Sequence, residues 1–347
     1  MFETSGGLLT IDLNIIKSNY ARLRHELGGK DCAAVVKADA YGLGLEPVSK
    51  ALWQAGARSF FVALPNEGIE LRNYLPEADI HILVGALPGT EEVLQDHNLI
   101  PVLNSLEQIK RWDSRGRFDI QIDTGMTRLG LPPRDLQHLP QGLKADILMS
   151  HFACADDKDH ALNQHQIEAF NHATQHIAHK RASLANSSGI FLSEHAQFDL
   201  GRPGCALYGI NPTPHKTNPM GNPVRLQGKI AQVHDIDTQQ SVGYGATQKL
   251  QAGQKLATIA LGYADGYLRS LSSQGELYIN DVKVPVVGRV SMDVISIDVS
   301  GLDVAEGQWV DVIGPHNPPD LLAEKAGTIG YEILTSLGGR YQRVYKG

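Results

Sequence analysis

The sequence predicts a parallel α/β unit followed by a smaller, mostly antiparallel β domain. Up to about residue 185, short apolar runs alternate with helical stretches, the signature of a parallel sheet with helices outside it. After Ile210 the texture changes to short, closely spaced strands with turns rich in Gly, Asn and Asp. At 347 residues the chain is long enough for two hydrophobic cores.

Taken in order, residues 8–13 alternate as a strand, and Asp12 or Asn14 caps the helical pattern that runs on to Leu23. Residues 32–36 are small and apolar without a break, which suits a strand covered on both faces. Further strands are expected at 59–64, 80–84, 99–103, 118–123, 147–152 and 181–185, with helices near 46–55, 66–74, 105–113 and 159–178. With 204–210 as a last strand, eight units follow residue 31, and eight such units close as a barrel. An open doubly wound sheet satisfies the same pattern, because periodicity does not report closure. Residues 211–223 hold four prolines and one glycine and read as a linker or long loop. Beyond it, strands are expected at 228–233, 255–260, 276–279, 284–287, 294–299 and 309–313.

A formal charge of -7 argues against a general nucleic-acid binder. Cys32, Cys154 and Cys205 have no framework spacing and cannot all pair, which favours a reducing compartment. Residues 1–7 carry no targeting pattern, and no segment reaches membrane-spanning length, so a soluble cytoplasmic protein is expected. His172, His176 and His179 lie at helical spacing, but no further ligand falls in step with them; they read as an exposed polar face, and no metal site is expected.

The chemistry centres on Lys37, at the carboxyl end of the 32–36 run and just before Ala38-Asp39-Ala40-Tyr41-Gly42-Leu43-Gly44. A lysine there is placed to attack a carbonyl and form a Schiff base, although a lysine that merely snorkels out of a strand end fits the spacing too. Two later segments, Asn186-Ser187-Ser188-Gly189 and Gly201-Arg202-Pro203-Gly204-Cys205, are suited to hold a phosphate after the last two strands of a barrel. In Asp123-Thr124-Gly125-Met126-Thr127-Arg128-Leu129-Gly130 the arginine sits in a polar, glycine-containing turn and reads by itself as a solvated surface charge, although its planar fork also suits a carboxylate.

Residues 35–44 resemble the pyridoxal-phosphate motif of the alanine racemase family, and the 123–130 string, Val242-Gly243-Tyr244-Gly245-Ala246, Leu261-Gly262-Tyr263-Ala264-Asp265-Gly266-Tyr267 and Gly327-Thr328-Ile329-Gly330-Tyr331-Glu332 extend the resemblance over nearly the whole chain. The resemblance implies a TIM-type (β/α)8 barrel over 9–215 and a mostly antiparallel β domain over 216–347 joined by residues 1–8. It further implies that Lys37 holds pyridoxal 5'-phosphate as a Schiff base and acts as one catalytic base, with Tyr244 of a partner subunit as the other. Tyr41, Ser187, Gly204, Cys205 and Tyr331 then correspond to phosphate contacts, His151 to a residue beside the cofactor ring, and Arg202 to the group facing the pyridine nitrogen. Arg128 and Met292 correspond to substrate contacts, Tyr263 to the pocket entrance, and Asp293 to a supporting residue.

Four positions depart from the family pattern, among them Gly243, where many members have serine. Gln121 stands where a carbamylated lysine is common, Ser183 where a histidine is often found, and Ser291-Met292-Asp293 replaces the usual Cys-Met-Asp. Gln121 is expected to orient Arg128 by hydrogen bonds without the carbamate's charge, and Ser183 to replace one polar contact. The implied activity is interconversion of L- and D-alanine for peptidoglycan synthesis by two-base α-proton transfer in a cytoplasmic homodimer. A broader small-amino-acid or serine racemase, a related decarboxylase and a non-catalytic cofactor-binding protein are the alternatives.

Overall fold

The computed structural model describes residues 4–113 and 115–347, which form two compact units. One is Ile15–Gly221; the other unites the described residues up to Asn14 with Asn222–Gly347.

In the first unit, eight parallel strand positions follow one another in chain order. The strand made of Asp31–Cys32 and Ala34–Val35 pairs with Ser59–Val62, and the ladder continues through Asp79–Ile82, Ile100–Leu103, Asp119–Gln121 and Lys144–Met149 to Ala178–Ser183. Leu200–Gly201 closes the ring. On one side Asp199 N and Arg202 N donate to Ala182 O and Ala185 O at 3.0 and 2.9 Å; on the other, Asp199 O, Gly201 O and Pro203 O accept from Asp31 N, Ala33 N and Val35 N at 2.9, 2.9 and 3.0 Å. The barrel alternative is therefore realised, and the open sheet is not. The eighth strand lies ahead of the expected 204–210, because Cys205–Tyr208 coils into a 3-10 turn with its side chains buried.

Strands Ser59–Val62 and Ile100–Leu103 are buried along their whole length, the cost of a sheet whose outer face is covered by helices and whose inner face fills the barrel. Helices Leu45–Gln54, Pro65–Tyr74, Leu106–Trp112 and Ala161–His176 lie between successive strands. Leu45–Gln54 buries Leu45, Val48, Ala51 and Leu52 at helical spacing and exposes Glu46 and Lys50, which pair four residues apart.

The second unit is an antiparallel sheet with a mixed edge. Its long strand Val224–Asp235 pairs with Gly7–Asp12, Lys255–Ile259 and Trp309–Ile313, and Gly7–Asp12 also runs parallel to Gln342–Lys346. Gly7–Asp12 alternates in burial, with Leu9 and Ile11 fully covered, so this segment gains its core contacts here. The joints expected at 8/9 and 215/216 fall later in the chain. The first strand keeps pairing as far as Asp12, and the proline-rich loop is tied to the barrel by Asn19, whose amide donates to Leu207 O and Gly221 O and accepts from Gly221 N. Residues 1–3, included in the expected 1–8 segment, lie outside the described residues.

Candidate active site

Lys37 follows directly on the first barrel strand, and the chain behind it turns the unusual way. Ala38, Asp39, Ala40 and Tyr41 all have φ between 53° and 57°, a full turn of left-handed helix made by residues with a β-carbon. Each such residue costs roughly 1–2 kcal/mol, so the turn persists only where its surroundings dictate it. Its supports are on view: Ala40 N donates to Val36 O at 2.9 Å, Gly44 N to Asp39 O at 2.9 Å and Leu45 N to the Asp39 carboxylate at 2.6 Å. The Glu67 carboxylate accepts from Ala38 N at 2.6 Å, and also from Ala63 N and Leu64 N at 2.7 and 2.9 Å. Burial, and then the charge of Arg128, lower the pKa of the Lys37 ammonium, while Glu67 opposes the shift. A lysine so placed has more free amine near neutral pH, which attack on a carbonyl requires.

The turn carries Tyr41 inward. Its phenol lies over Gly204, where an added β-carbon would collide with the Tyr41 hydroxyl; only glycine leaves the approach open. Tyr208 packs against Tyr41 with ring centroids 4.7 Å apart and the rings tilted by 31°, and its hydroxyl donates to Val35 O at 2.8 Å. Opposite, Asn186 caps the short helix Ser187–Ile190 by accepting from Gly189 N at 2.9 Å. Ser187 Oγ accepts from Gly204 N and Ala206 N at 3.0 and 3.2 Å. Tyr41, Ser187, Gly204 and Cys205 thus belong to one buried cluster of backbone N–H groups and hydroxyls, in which Ser187 Oγ takes up the Gly204 and Ala206 N–H groups; these are donor types that suit an anion.

Arg202 lies next to that cluster and is buried. Its guanidinium donates to Ser183 Oγ and to Ser150 O, and Ser183 Oγ passes a hydrogen bond on to Leu200 O. Ser183 is therefore the direct polar partner of Arg202. Burial pushes this arginine down to about 9, against the attraction of Asp119. His151 follows the strand that ends at Met149. Burial, then Arg202, Arg128 and Lys37, push its ring down to about 3, so it is neutral wherever the protein is folded at ordinary pH.

Arg128 sits exposed in a loop pinned by Asp123, whose Oδ1 accepts from Gly125, Met126 and Thr127 N, each at 3.0 Å. At Gly130 a β-carbon would come within 2.7 Å of Asp123 N. Gln121 does not bond the Arg128 guanidinium as expected. Its amide donates to Leu129 O at 2.9 Å, because the Gln121 side chain meets the returning backbone of the loop before it reaches the arginine head.

In the β unit, Tyr263 N and Ala264 N donate to Ser291 O and Met292 O at 3.0 Å, which brings Tyr263, Met292 and Asp293 together. Arg340 fastens this corner by a two-pronged pair with Asp265 at 2.7 Å and a third bond to Asp293 at 2.7 Å. Tyr244 stands at the tip of the hairpin Gln240–Val242 and Gln248–Leu250 and is 71% exposed. Tyr331 lies on the helix Gly330–Thr335 and is 38% exposed.

Sequence reading missed Glu67, Tyr208, Ser150 and Asp119. Glu67 was detectable as an acid at the third position of a proline-started helix, an N-terminal signal; the other three carry no local signature. Among the described residues no cluster of three or more His, Cys, Asp or Glu side chains can hold a metal, and no helix is long and apolar enough to cross a membrane.

The structure is thus an α/β barrel that carries a lysine at one strand end, with a buried arginine and a cluster of hydroxyls and backbone N–H groups in its last loops. The family of the alanine racemase N-terminal domain matches residues 11–212, and that of the C-terminal domain matches residues 223–345. The alanine racemase of Rhodospirillum rubrum is 48% identical, covering 99% of this chain and 97% of that protein; the catabolic alanine racemase of Mesorhizobium japonicum is 45% identical, covering 99% and 94%. Among solved structures, alanine racemase from Bartonella henselae with covalently bound pyridoxal phosphate superposes with a TM-score of 0.94 at 39% identity, covering 98% of this chain and 99% of that one. The biosynthetic alanine racemase of Pseudomonas aeruginosa gives 0.93 at 31% identity, covering 99% and 100%. The chain belongs to the alanine racemase family.

Proposed function

We infer that this protein interconverts L- and D-alanine with pyridoxal 5'-phosphate, and that Lys37 carries the cofactor. The observation that bears most weight is Lys37 beside the cradle of Tyr41, Ser187, Gly204 and Cys205, with glycine where a β-carbon would fill the space. The residues fit the group. Backbone N–H groups and hydroxyls suit its phosphate, and the buried Arg202 suits an acceptor ring nitrogen. When bound, pyridoxal phosphate weakens the substrate's α-C–H bond by withdrawing electrons.

The protein's own residues then decide the outcome. Lys37 Nζ takes or returns the α proton on one face, helped by burial and by Arg128, which favour its free amine. Arg128 holds the substrate carboxylate by its planar fork, and Met292 and Tyr263 limit side-chain size. Arg202, pushed down to about 9 yet still cationic at neutral pH, faces the ring nitrogen with a positive charge, which favours proton removal and return over other bond cleavages. The neutral His151 packs beside the ring. Tyr331 contributes a phosphate contact.

Racemisation needs a second base on the opposite face, and Tyr244 takes that role from a partner subunit in a twofold homodimer. Its exposure at a hairpin tip supports a role on a neighbouring molecule's site. Three free cysteines support a cytoplasmic location, where D-alanine would feed peptidoglycan synthesis. Borohydride reduction and peptide mapping should place the pyridoxyl group on Lys37, and purified enzyme should racemise alanine faster than serine, lysine or arginine. Label on another lysine, or preference for a long basic substrate, would overturn the assignment.

A further inference from the structure

We propose that Glu67 is a positioning residue for Lys37, because its single carboxylate ties the left-handed turn behind the lysine to the end of the next barrel strand. One oxygen, Oε1, accepts from Ala38 N, the peptide immediately after Lys37, at 2.6 Å; the other, Oε2, accepts from Ala63 N and Leu64 N at 2.7 and 2.9 Å. These two backbone segments follow adjacent strands, paired through Ala34↔Phe60 and Val35↔Phe61. The carboxylate therefore bridges two strand-end loops at the level where Lys37 leaves the sheet.

Four successive left-handed, non-glycine residues need external support, and the Asp39 contacts lie at the far end of the turn. At the near end Glu67 holds the first of those four. An acceptor-only carboxylate satisfies three N–H groups at once, whereas an amide of the same size offers one oxygen and turns donors toward the remaining N–H. Helix Pro65–Tyr74 carries Glu67 in its first turn, so the tether is anchored to a rigid element.

The same carboxylate is a charge near Lys37. It opposes burial and Arg128, which favour the free amine, while His151 faces the same group of cations. Glu67 thus sets both the direction and the charge balance of the lysine. This inference rests on Lys37 being the reacting lysine, but the two fail separately: loss of activity in Lys37→Ala tests the lysine, and Glu67 variants test the tether.

The test uses full-length, cofactor-loaded Glu67→Gln and Glu67→Asp enzymes. Glu67→Gln should lower kcat about 10- to 100-fold with a smaller change in KM, because the lysine is misdirected while substrate contacts remain. Amide hydrogen exchange should rise in the peptide spanning 37–45 and stay at the wild-type level in the barrel strands. The acidic limb of the pH–rate profile, measured in the direction in which Lys37 takes the proton, should move to lower pH in Glu67→Gln, since the opposing negative charge is gone, and should stay near the wild-type position in Glu67→Asp. A merely structural residue would lower the melting temperature and leave that limb in place. Wild-type kcat, exchange and pH profile in Glu67→Gln, with Lys37→Ala inactive, would overturn the proposal. Should Glu67→Gln fail to fold, Glu67→Asp carries the same decision: its shorter reach should raise exchange at 37–45 and lower kcat, and wild-type values for both would reject the tether.

Discussion

Lys37 and Tyr244, the two residues assigned as bases, are held in opposite ways. Lys37 leaves a buried strand, and the turn behind it is fastened by Glu67, Asp39 and backbone bonds to Val36. Tyr244 stands at the tip of a two-stranded hairpin of three residues a side, with Gly243 and Gly245 on either side at positive φ. The hairpin's base is anchored by Val242 and Leu250, buried with Ile236, Leu256 and Val287, while its tip leaves Tyr244 71% exposed; the barrel therefore holds Lys37 through the turn behind it, whereas the tyrosine side chain is held fast only when another surface covers it. The contrast agrees with the proposed assembly: apart from Tyr331, the proposed cofactor contacts lie within the barrel unit, and the second base is presented outward.

The sharpest way to break this comparison is to remove each base and mix the products. Lys37→Ala and Tyr244→Phe should each lose at least about 10³-fold in racemisation, the larger loss falling on Lys37, which also anchors the cofactor. Exchange of subunits between the two inactive proteins should restore roughly a quarter of the sites, because each heterodimer holds one site with both bases intact. A verified heterodimer without activity would place both bases in one chain. Next in size, Gly204→Ala pushes a β-carbon into the Tyr41 hydroxyl and should weaken cofactor retention about tenfold or more, measured by dialysis against loss of the bound chromophore. Unchanged retention would show that the cradle yields as readily as the hairpin.

A smaller effect is expected of Gln121→Ala, which frees Leu129 O and loosens the loop that carries Arg128. KM for alanine should rise about two- to tenfold with kcat nearly preserved, since one neutral hydrogen bond contributes about 1 kcal/mol. Dissolved carbon dioxide should not alter activity beyond its effect on pH, since an amide forms no carbamate. A last prediction concerns acid stability and not catalysis. The ring of His151 is pushed from its ordinary 6.5 to about 3, so between those values the unfolded chain binds a proton that the folded chain does not. Folding stability therefore falls as pH drops from 6.5 toward 3. His151→Gln should make that slope shallower in denaturant titrations at several pH values, and an identical slope would contradict the neutral ring.

Much of this arrangement was legible in the residue order, for definite reasons. The alternation of apolar runs and helical stretches located the parallel strands before residue 186 best where they are buried and apolar throughout, as at Ser59–Val62 and Ile100–Leu103, and less closely at the polar Ala178–Ser183. Closure was not legible: Leu200–Gly201 is too short to carry a period, and its partners are chosen by backbone geometry around the ring. Gln342–Lys346 escaped notice because its polar residues hide the pairing with Gly7–Asp12. At the site, motif resemblance singled out Lys37, Arg202 and Tyr244. It gave no hint of the left-handed turn, since Ala38, Asp39 and Ala40 have no intrinsic preference for that conformation and are placed there by contacts from distant segments. Gln121 illustrates the same limit: spacing put it near Arg128, and only the folded loop decided that its amide meets Leu129.

The short strand that closes the barrel has a further consequence. Its hydrogen bonds to Asp31, Ala33 and Val35 lie immediately before Gly204 and Cys205, so the clasp of the ring and the anion cradle occupy one stretch of chain. An anion bound at the cradle would hold that clasp shut, and at a hundredfold excess over its Kd it would add about 2.7 kcal/mol against any opening that releases it. Cofactor loading would thereby act as a lock on the barrel itself. Slow exchange of the Ala33 and Val35 amides would report the loaded protein, and their early exchange would mark the seam at which an emptied barrel begins to part.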